Sequence, residues 1–322
     1  MASGFNRPEK RSSSDRISNL PEEAIAEILK HLPIKEAVGT SKLSRSWRYQ
    51  WTGIQELMFN DCVAIAQGQT TNLANLINTV LLLHHRPITR FEVYTLSSPS
   101  SDVDRWLLVL SRKNLQHLIL SFRMQTPSPY LVPSSLFTCQ YLRTLELDNC
   151  KLQLPPQFKR FSFLNRLTLI RLVYIDKRTL ESLVTNSSLQ SLYLLRCSLS
   201  SLSICAPNLE YCRMFGSYKS INFVDTLKLK KIGLSFNSED TNNILADLWR
   251  FRNCPFLKDI DVHRWRCPPR LMQQEHFWNQ KDAVLQHIRR VNFVHFTGMQ
   301  QELGLVQFFL HKAMVLQTIN IH

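Results

Sequence analysis

Between residues 54 and 321 one apolar signature returns eleven times: an apolar residue, two of any kind, an apolar residue, one of any kind, and a third apolar residue. The copies are Ile54-Leu57-Phe59, Ile88-Phe91-Val93, Leu115-Leu118-Leu120, Leu142-Leu145-Leu147, Leu164-Leu167-Leu169 and Leu189-Leu192-Leu194. Leu209-Cys212-Met214, Leu229-Ile232-Leu234, Leu257-Ile260-Val262, Ile288-Val291-Phe293 and Leu316-Ile319-Ile321 complete the series. First positions run from 54 to 316 over ten intervals, about 26 residues each. The last two apolar positions alternate with other residues, the mark of a strand with one buried face. A unit this short cannot bury its own apolar face, so the copies must stack on one another to make a core. A large share of possible folds is thereby excluded.

The pattern resembles leucine-rich repeats, whose period is ~20–29 residues. Intervals here vary from 20 to 34 residues, so the expected solenoid is irregular. The resemblance implies an α/β fold: a curved parallel sheet, with helices or loops on its convex side. NLANLINTVLLLHH (72–85) is one such return segment. Cys62, Cys150 and Cys197 each fall eight residues after a first apolar position, where such repeats place Asn or Cys as the chain turns away from its strand. The eight cysteines form no C-x-x-C pair and are diluted along 322 residues, which reads as reduced, packed thiols rather than a disulfide scaffold. His263 with Cys267 lacks a second ligand pair for zinc, so no metal is expected.

Ahead of the repeats, LPEEAIAEILKHLPIKEAVGTSKLSRSWRYQW (20–51) carries its own periodicity. Ala24, Ile25, Ile28, Leu29 and Leu32 form a helical stripe, with Asn19 or Ser18 available as cap and Pro33 as stop. A second helix is expected from Lys35 to Leu43, and a third, capped by Ser44, holding Trp47 and Trp51. Three short helices cannot hide this much apolar surface from one another. Either the repeats cover the surplus or another protein does.

Leu20-Pro21, Ile28-Leu29, Leu32-Pro33, Ala37, Ser41, Ser44-Arg45, Trp47-Arg48 and Trp51 resemble an F-box. That resemblance implies docking on a Skp-type adaptor and, through it, on the cullin and RING subunits of a ubiquitin ligase. It assigns the adaptor contact to Leu20, Pro21, Ile28, Leu29, Leu32, Pro33 and Trp47. Residues 288–322 are similar to the FBD region of plant F-box proteins at Phe296, Gly298, Glu302-Leu303, Phe308-Phe309-Leu310, Ala313 and Leu316. The expected organisation is a disordered leader (1–14), an F-box (15–51), repeats (52–287) and an FBD-like continuation of them (288–322).

The net charge of +14 attracts acidic proteins or nucleic acid. Lys and Arg are spread along the chain without a stripe interleaved with aromatics, which argues against nucleic acid. No apolar run approaches the ~18 residues of a membrane span, so no membrane partner is expected. Motifs for nucleophilic, phosphate-binding or zinc catalysis are absent, and His84, His85 and His117 lie within helix or strand patterns. The resemblance therefore implies a non-enzymatic adaptor, without a cofactor, in the cytosol or nucleus, that holds a protein substrate for ubiquitylation. The alternative is a basic repeat scaffold that binds nucleic acid or other proteins without a ligase. Outward strand positions include Tyr94, Glu146, Asp148, Arg166, Tyr193, Arg213, Phe215, Asp261 and His263. Of these, Tyr94, Arg166, Tyr193, Arg213 and Phe215 are the expected substrate contacts, because aromatics and arginine are enriched at interfaces. The substrate expected on them has acidic and apolar character.

Overall fold

The structure is a computed structural model, and it describes residues 17, 19–69, 72–97, 101–123, 129–172, 175, 177–185, 188–236, 254–264 and 285–322. The leader, Ser18 and Cys267 lie outside the described residues.

The strands begin where the repeats put them. β1 (Glu56–Asn60), β2 (Arg90–Thr95), β3 (His117–Phe122), β5 (Thr144–Asp148), β7 (Arg166–Ile170) and β8 (Ser191–Cys205) are followed by β9 (Tyr211–Val224), β10 (Lys231–Phe236), β11 (Asp259–Arg264), β12 (Arg290–Val294) and β13 (Thr318–Ile321). Every one starts two residues after a first apolar position. Together they form one eleven-stranded sheet in chain order, each neighbour parallel. β4 (Tyr130–Leu131) and β6 (Cys150–Lys151) make a separate short pair. Paired residues keep the repeat register: Leu145 faces Leu118 on one side and Leu167 on the other, and all three are fully buried.

Return segments vary. Helices α3 (Cys62–Ala66) and α4 (Leu73–Leu83) lead from β1 to β2, and α5 (Asp102–Leu110) leads to β3. Further on, α6 (Lys177–Val184) precedes β8, and α7 (Gln300–Lys312) precedes β13. Between β8 and β9 the return begins as more strand. Both strands run on past a register shift at Leu195/Cys197, burying Leu202, Ile204, Ile221 and Phe223. The shift is a bulge: Arg196 has φ 56°, and Gly216 lies so close to Cys197 that a Cβ there would collide with the Cys197 carbonyl oxygen. Asn149, Arg171 and His295 take the same left-handed turn at the same place in their repeats. The turn carries the next residue inward. Cys150 and Cys197 are buried there, and their thiols donate to the Asp148 and Leu169 carbonyls, each at 3.5 Å. Cys62 is only half buried and opens α3.

The N-terminal segment departs from three α-helices. α1 (Glu22–Lys30) and α2 (Ile34–Gly39) form, but Thr40–Lys42 and Gln50–Gly53 are single 3-10 turns, and residues 45–49 are turns. Trp47 and Trp51 therefore reach the core from tight turns rather than from a third helix. Burial explains this: two large indoles only six and ten residues beyond Ser41 must both point inward, and Trp47 Nε1 donates to the Ile17 carbonyl at 3.0 Å. No side chain caps α1. Its first turn begins at Pro21, past both Asn19 and Ser18, and Glu22 and Glu23 complement the positive helix end. Ile25, Leu29, Ile34, Ala37, Trp47 and Trp51 are buried in one cluster continuous with Leu57 and Phe59, so the segment caps the open edge of β1.

Candidate functional site

Two surfaces carry the residues singled out by the sequence. On the F-box-like unit, Ile25 and Leu29 line the inward face of α1, leaving Ile28 43% exposed on the other side. Pro21 and Pro33 are exposed, and Leu20 and Leu32 are half buried. Leu43 and Tyr49 add exposed apolar surface. Leu29 and Trp47, expected at the adaptor contact, are buried to 1% and 2% exposure. They support the surface from beneath and do not present themselves on it.

The second surface is the concave face of the sheet. Its centre is built from alternate residues of β7 to β11, which the parallel register places side by side. Tyr193 stands beside Arg213, and the Arg166 guanidinium lies 5.6 Å from the Tyr193 ring. Tyr193 and Tyr211 rings are 5.1 Å apart. Arg213 lies between Tyr211 and Phe215, 5.8 and 5.3 Å from their ring centres, and Phe215 meets His263 at 4.5 Å. The sheet thus gathers Arg166, Tyr193, Arg213 and Phe215. It does not bring Tyr94 to them: Tyr94 is on β2, four strands from Tyr193, where its hydroxyl donates to Glu92 at 3.2 Å.

Charge on this face is paired across strands. Lys231 approaches Asp261 at 2.7 Å, Arg213 approaches it at 3.8 Å, and Asn292 donates to its other oxygen at 2.7 Å. Burial, followed by the neighbouring Arg213 cation, lowers the His263 pKa to about 4, so the ring is neutral near pH 7. Towards β1 the sign reverses. Arg90 serves both Glu56 (3.3 Å) and Glu92 (2.9 Å). Asp148 accepts from Ser121 at 2.9 Å and from Arg171 at 2.6 Å. Burial, then repulsion from Asp148 and Glu92, raises the Glu146 pKa.

Several outward positions are not solvated. Glu92, Ser121, Asp148, Thr168 and Asp261 are all buried, because in a parallel sheet each outward side chain is walled by neighbours about 4.8 Å away on both flanking strands. Ile170, Leu195 and Tyr211 also belong to the centre of this face, half buried, and were missed. The first two occupy the third outward position of their repeats, as Phe215 does, and that position was the available signal.

At the C-terminal end Gly298 has φ 77°, and Glu302 accepts from the Thr297 and Met299 backbone N–H groups at 2.9 and 3.0 Å, closing the N-terminus of α7. Phe308, Phe309 and Ala313 are buried, whereas Leu303 and Leu310 face solvent. Among the described residues no group of His, Cys, Asp and Glu is arranged to hold a metal ion, and no helix is long and apolar enough to cross a membrane.

Comparison with known proteins places the chain among families with both kinds of domain. A model of the F-box domain matches residues 17–56, and one described as FBD-associated F-box protein At5g56370, LRR repeats, matches residues 103–258. F-box/FBD/LRR-repeat protein At1g13570 of Arabidopsis thaliana is 38% identical over 229 residues, covering 69% of this chain and 54% of its own length. F-box/FBD/LRR-repeat protein At5g56420 of the same plant is 27% identical over 237 residues (69% and 56%), and FBD-associated F-box protein At5g56370 is 29% identical over 236 residues (69% and 55%). The chain spans about half the length of the curated relatives it matches. With an F-box ahead of FBD-associated leucine-rich repeats, the chain belongs to the F-box/FBD/LRR-repeat family.

Proposed function

We infer that the chain is the substrate-recognition adaptor of a Skp–cullin–F-box ubiquitin ligase, acting in the cytosol or nucleus and performing no chemistry itself. The observation that carries this reading is the divided helix α1: Ile25 and Leu29 satisfy the chain's own core, and Ile28, with Pro21 and Pro33, remains exposed beside it. An exposed apolar patch on a short, well-packed unit is a docking surface. Leu20 and Leu32 extend it at its margin. A Skp-type adaptor there would bring cullin and RING subunits, and the concave face, with Arg166, Tyr193, Arg213 and Phe215, would hold the substrate. The contribution of such a chain is effective concentration and orientation.

The rival nucleic-acid scaffold finds less support on this face. Many of its cations stand against carboxylates, Arg90 with Glu56 and Glu92, Arg171 with Asp148, Lys231 with Asp261, and Arg290 with Asp259, rather than free to track a phosphate backbone. The test is co-purification of the full chain with a Skp-type adaptor. Pro21→Ala with Ile28→Ala should abolish it, and unchanged adaptor binding would remove the assignment.

A further inference from the structure

The concave face is divided by charge, with an apolar centre between the halves. On the β1–β5 side, Glu56 and Glu92 share the single Arg90. Glu146 is half buried, and although the Arg123 and Arg166 cations lie near enough to act on its charge, it makes no hydrogen bond or ion pair among the described residues. A half-buried carboxylate without a partner carries a desolvation cost that an incoming cation would offset. Beside it, Asp148 is buried with its Oδ1 oxygen unpartnered, although Oδ2 is bound by Ser121 and Arg171. On the β9–β11 side the imbalance is reversed: Arg213 and Lys231 share the single Asp261, and His263 is neutral near pH 7. Between the halves, Tyr193, Leu195 and Phe215 form a half-buried apolar shelf on β8 and β9.

We propose that this face takes an extended peptide segment of fixed charge order, a basic side chain at Glu146, a large apolar side chain on the shelf of Tyr193 and Phe215, and an acidic side chain at Arg213 and Lys231. The proposal rests on the reading of the concave face as the substrate site, and it replaces a simply acidic, apolar substrate with one carrying both signs. Register supplies the spacing. Glu146 on β5 is two strands from Tyr193 on β8, and Tyr193 is two strands from Lys231 on β10. Each step is about 4.8 Å, and Lys231 is level with Ser191, two residues along the strand from Tyr193, so the two gaps are about 10 and 12 Å, or roughly three to four extended residues each. A segment of about seven residues spans them. The apolar anchor supplies affinity, and the charges choose the direction in which the segment lies.

A display library of random heptapeptides, panned on the full chain, tests this. Enriched peptides should carry a basic and an acidic residue on opposite sides of a large apolar residue. Glu146→Lys should remove the basic preference, and Lys231→Glu the acidic one. A fluorescent peptide from the wild-type pool should bind Glu146→Lys at least tenfold more weakly. Glu146→Gln, which keeps the side-chain shape, should show the same preference loss in weaker form if charge reversal unsettles the fold. Enrichment of peptides with one sign of charge, or none, would overturn the charge order. If that enrichment still vanished with Tyr193→Ala plus Phe215→Ala, the concave substrate site itself would stand. Enrichment indifferent to Tyr193 and Phe215, or no enrichment, would remove both.

Discussion

Arg213 lies across Gly233: a Cβ on that glycine would meet Arg213 Cγ and Nε, each at 3.2 Å. The absent side chain on β10 opens a lane through which an arginine of β9 passes between Tyr211 and Phe215 towards Asp261 of β11. Gly233→Ala should be near neutral, because the ~0.5–1 kcal/mol gained by replacing a strand glycine offsets the few tenths of an ångström that Arg213 must yield. Gly233→Leu closes the lane. It should displace Arg213, reduce substrate capture in a proximity-labelling comparison, and leave adaptor binding unchanged.

Gly216 answers to a different constraint. Its neighbour there is backbone, the Cys197 carbonyl oxygen and, at 2.9 Å, the Cys197 nitrogen, which cannot move aside as a side chain can. Gly216→Ala should therefore separate β8 from β9 at the bulge and cost about 3 kcal/mol or more, in the upper range for single substitutions. A urea unfolding midpoint close to wild type would contradict the close approach.

The inward ladder sets the stability of the repeats. Leu145→Ala and Leu167→Ala should each cost ~2–5 kcal/mol, since both side chains are fully buried in the stack and leave cavities. Thr168, outward but only 7% exposed, should cost about 1 kcal/mol as Ala. Glu146→Gln should be neutral or slightly stabilising, because it removes a half-buried, unpaired charge. Equal losses at all four positions in chemical denaturation would reverse the assignment of the two faces.

On the F-box, burial separates two kinds of variant. Pro21→Ala with Ile28→Ala should weaken adaptor binding by ~2 kcal/mol or more, as for an interface anchor, with the melting temperature preserved. Leu29→Ala should instead cost ~2–5 kcal/mol of folding stability, and Trp47→Ala ~3–5 kcal/mol. Calorimetry with a Skp-type adaptor, beside thermal unfolding of each variant, distinguishes the two classes.

His263 gives the concave face a pH signature. Its folded pKa of about 4 lies below the ordinary histidine value of 6.5, so the neutral ring is favoured by folding. The corresponding stability is present above about pH 6.5 and is lost as pH falls towards 4. His263→Gln should flatten the pH dependence of urea unfolding over that window. A wild-type slope in the variant would assign the effect to other groups.

The eleven strands of the main sheet, their starting residues and their inward faces were legible in the sequence, because alternation of period two and stacking of repeats constrain residues only a few positions apart, whereas the short β4–β6 pair was not. Leu57, Leu118, Leu167 and Val291 occupy the core as that alternation requires. The F-box segment was legible by its residue pattern, although Trp47 and Trp51 arrive through turns that local propensity did not indicate. What tertiary structure decided was the company kept by outward residues. Whether Glu146 finds a cation, whether Thr168 is covered, and whether Arg213 has room to cross β10 all depend on side chains on adjacent strands, 20 residues or more away in the chain. Those neighbours are set by the stacking of irregular repeats, and a strand pattern alone does not record what stands about 4.8 Å to either side.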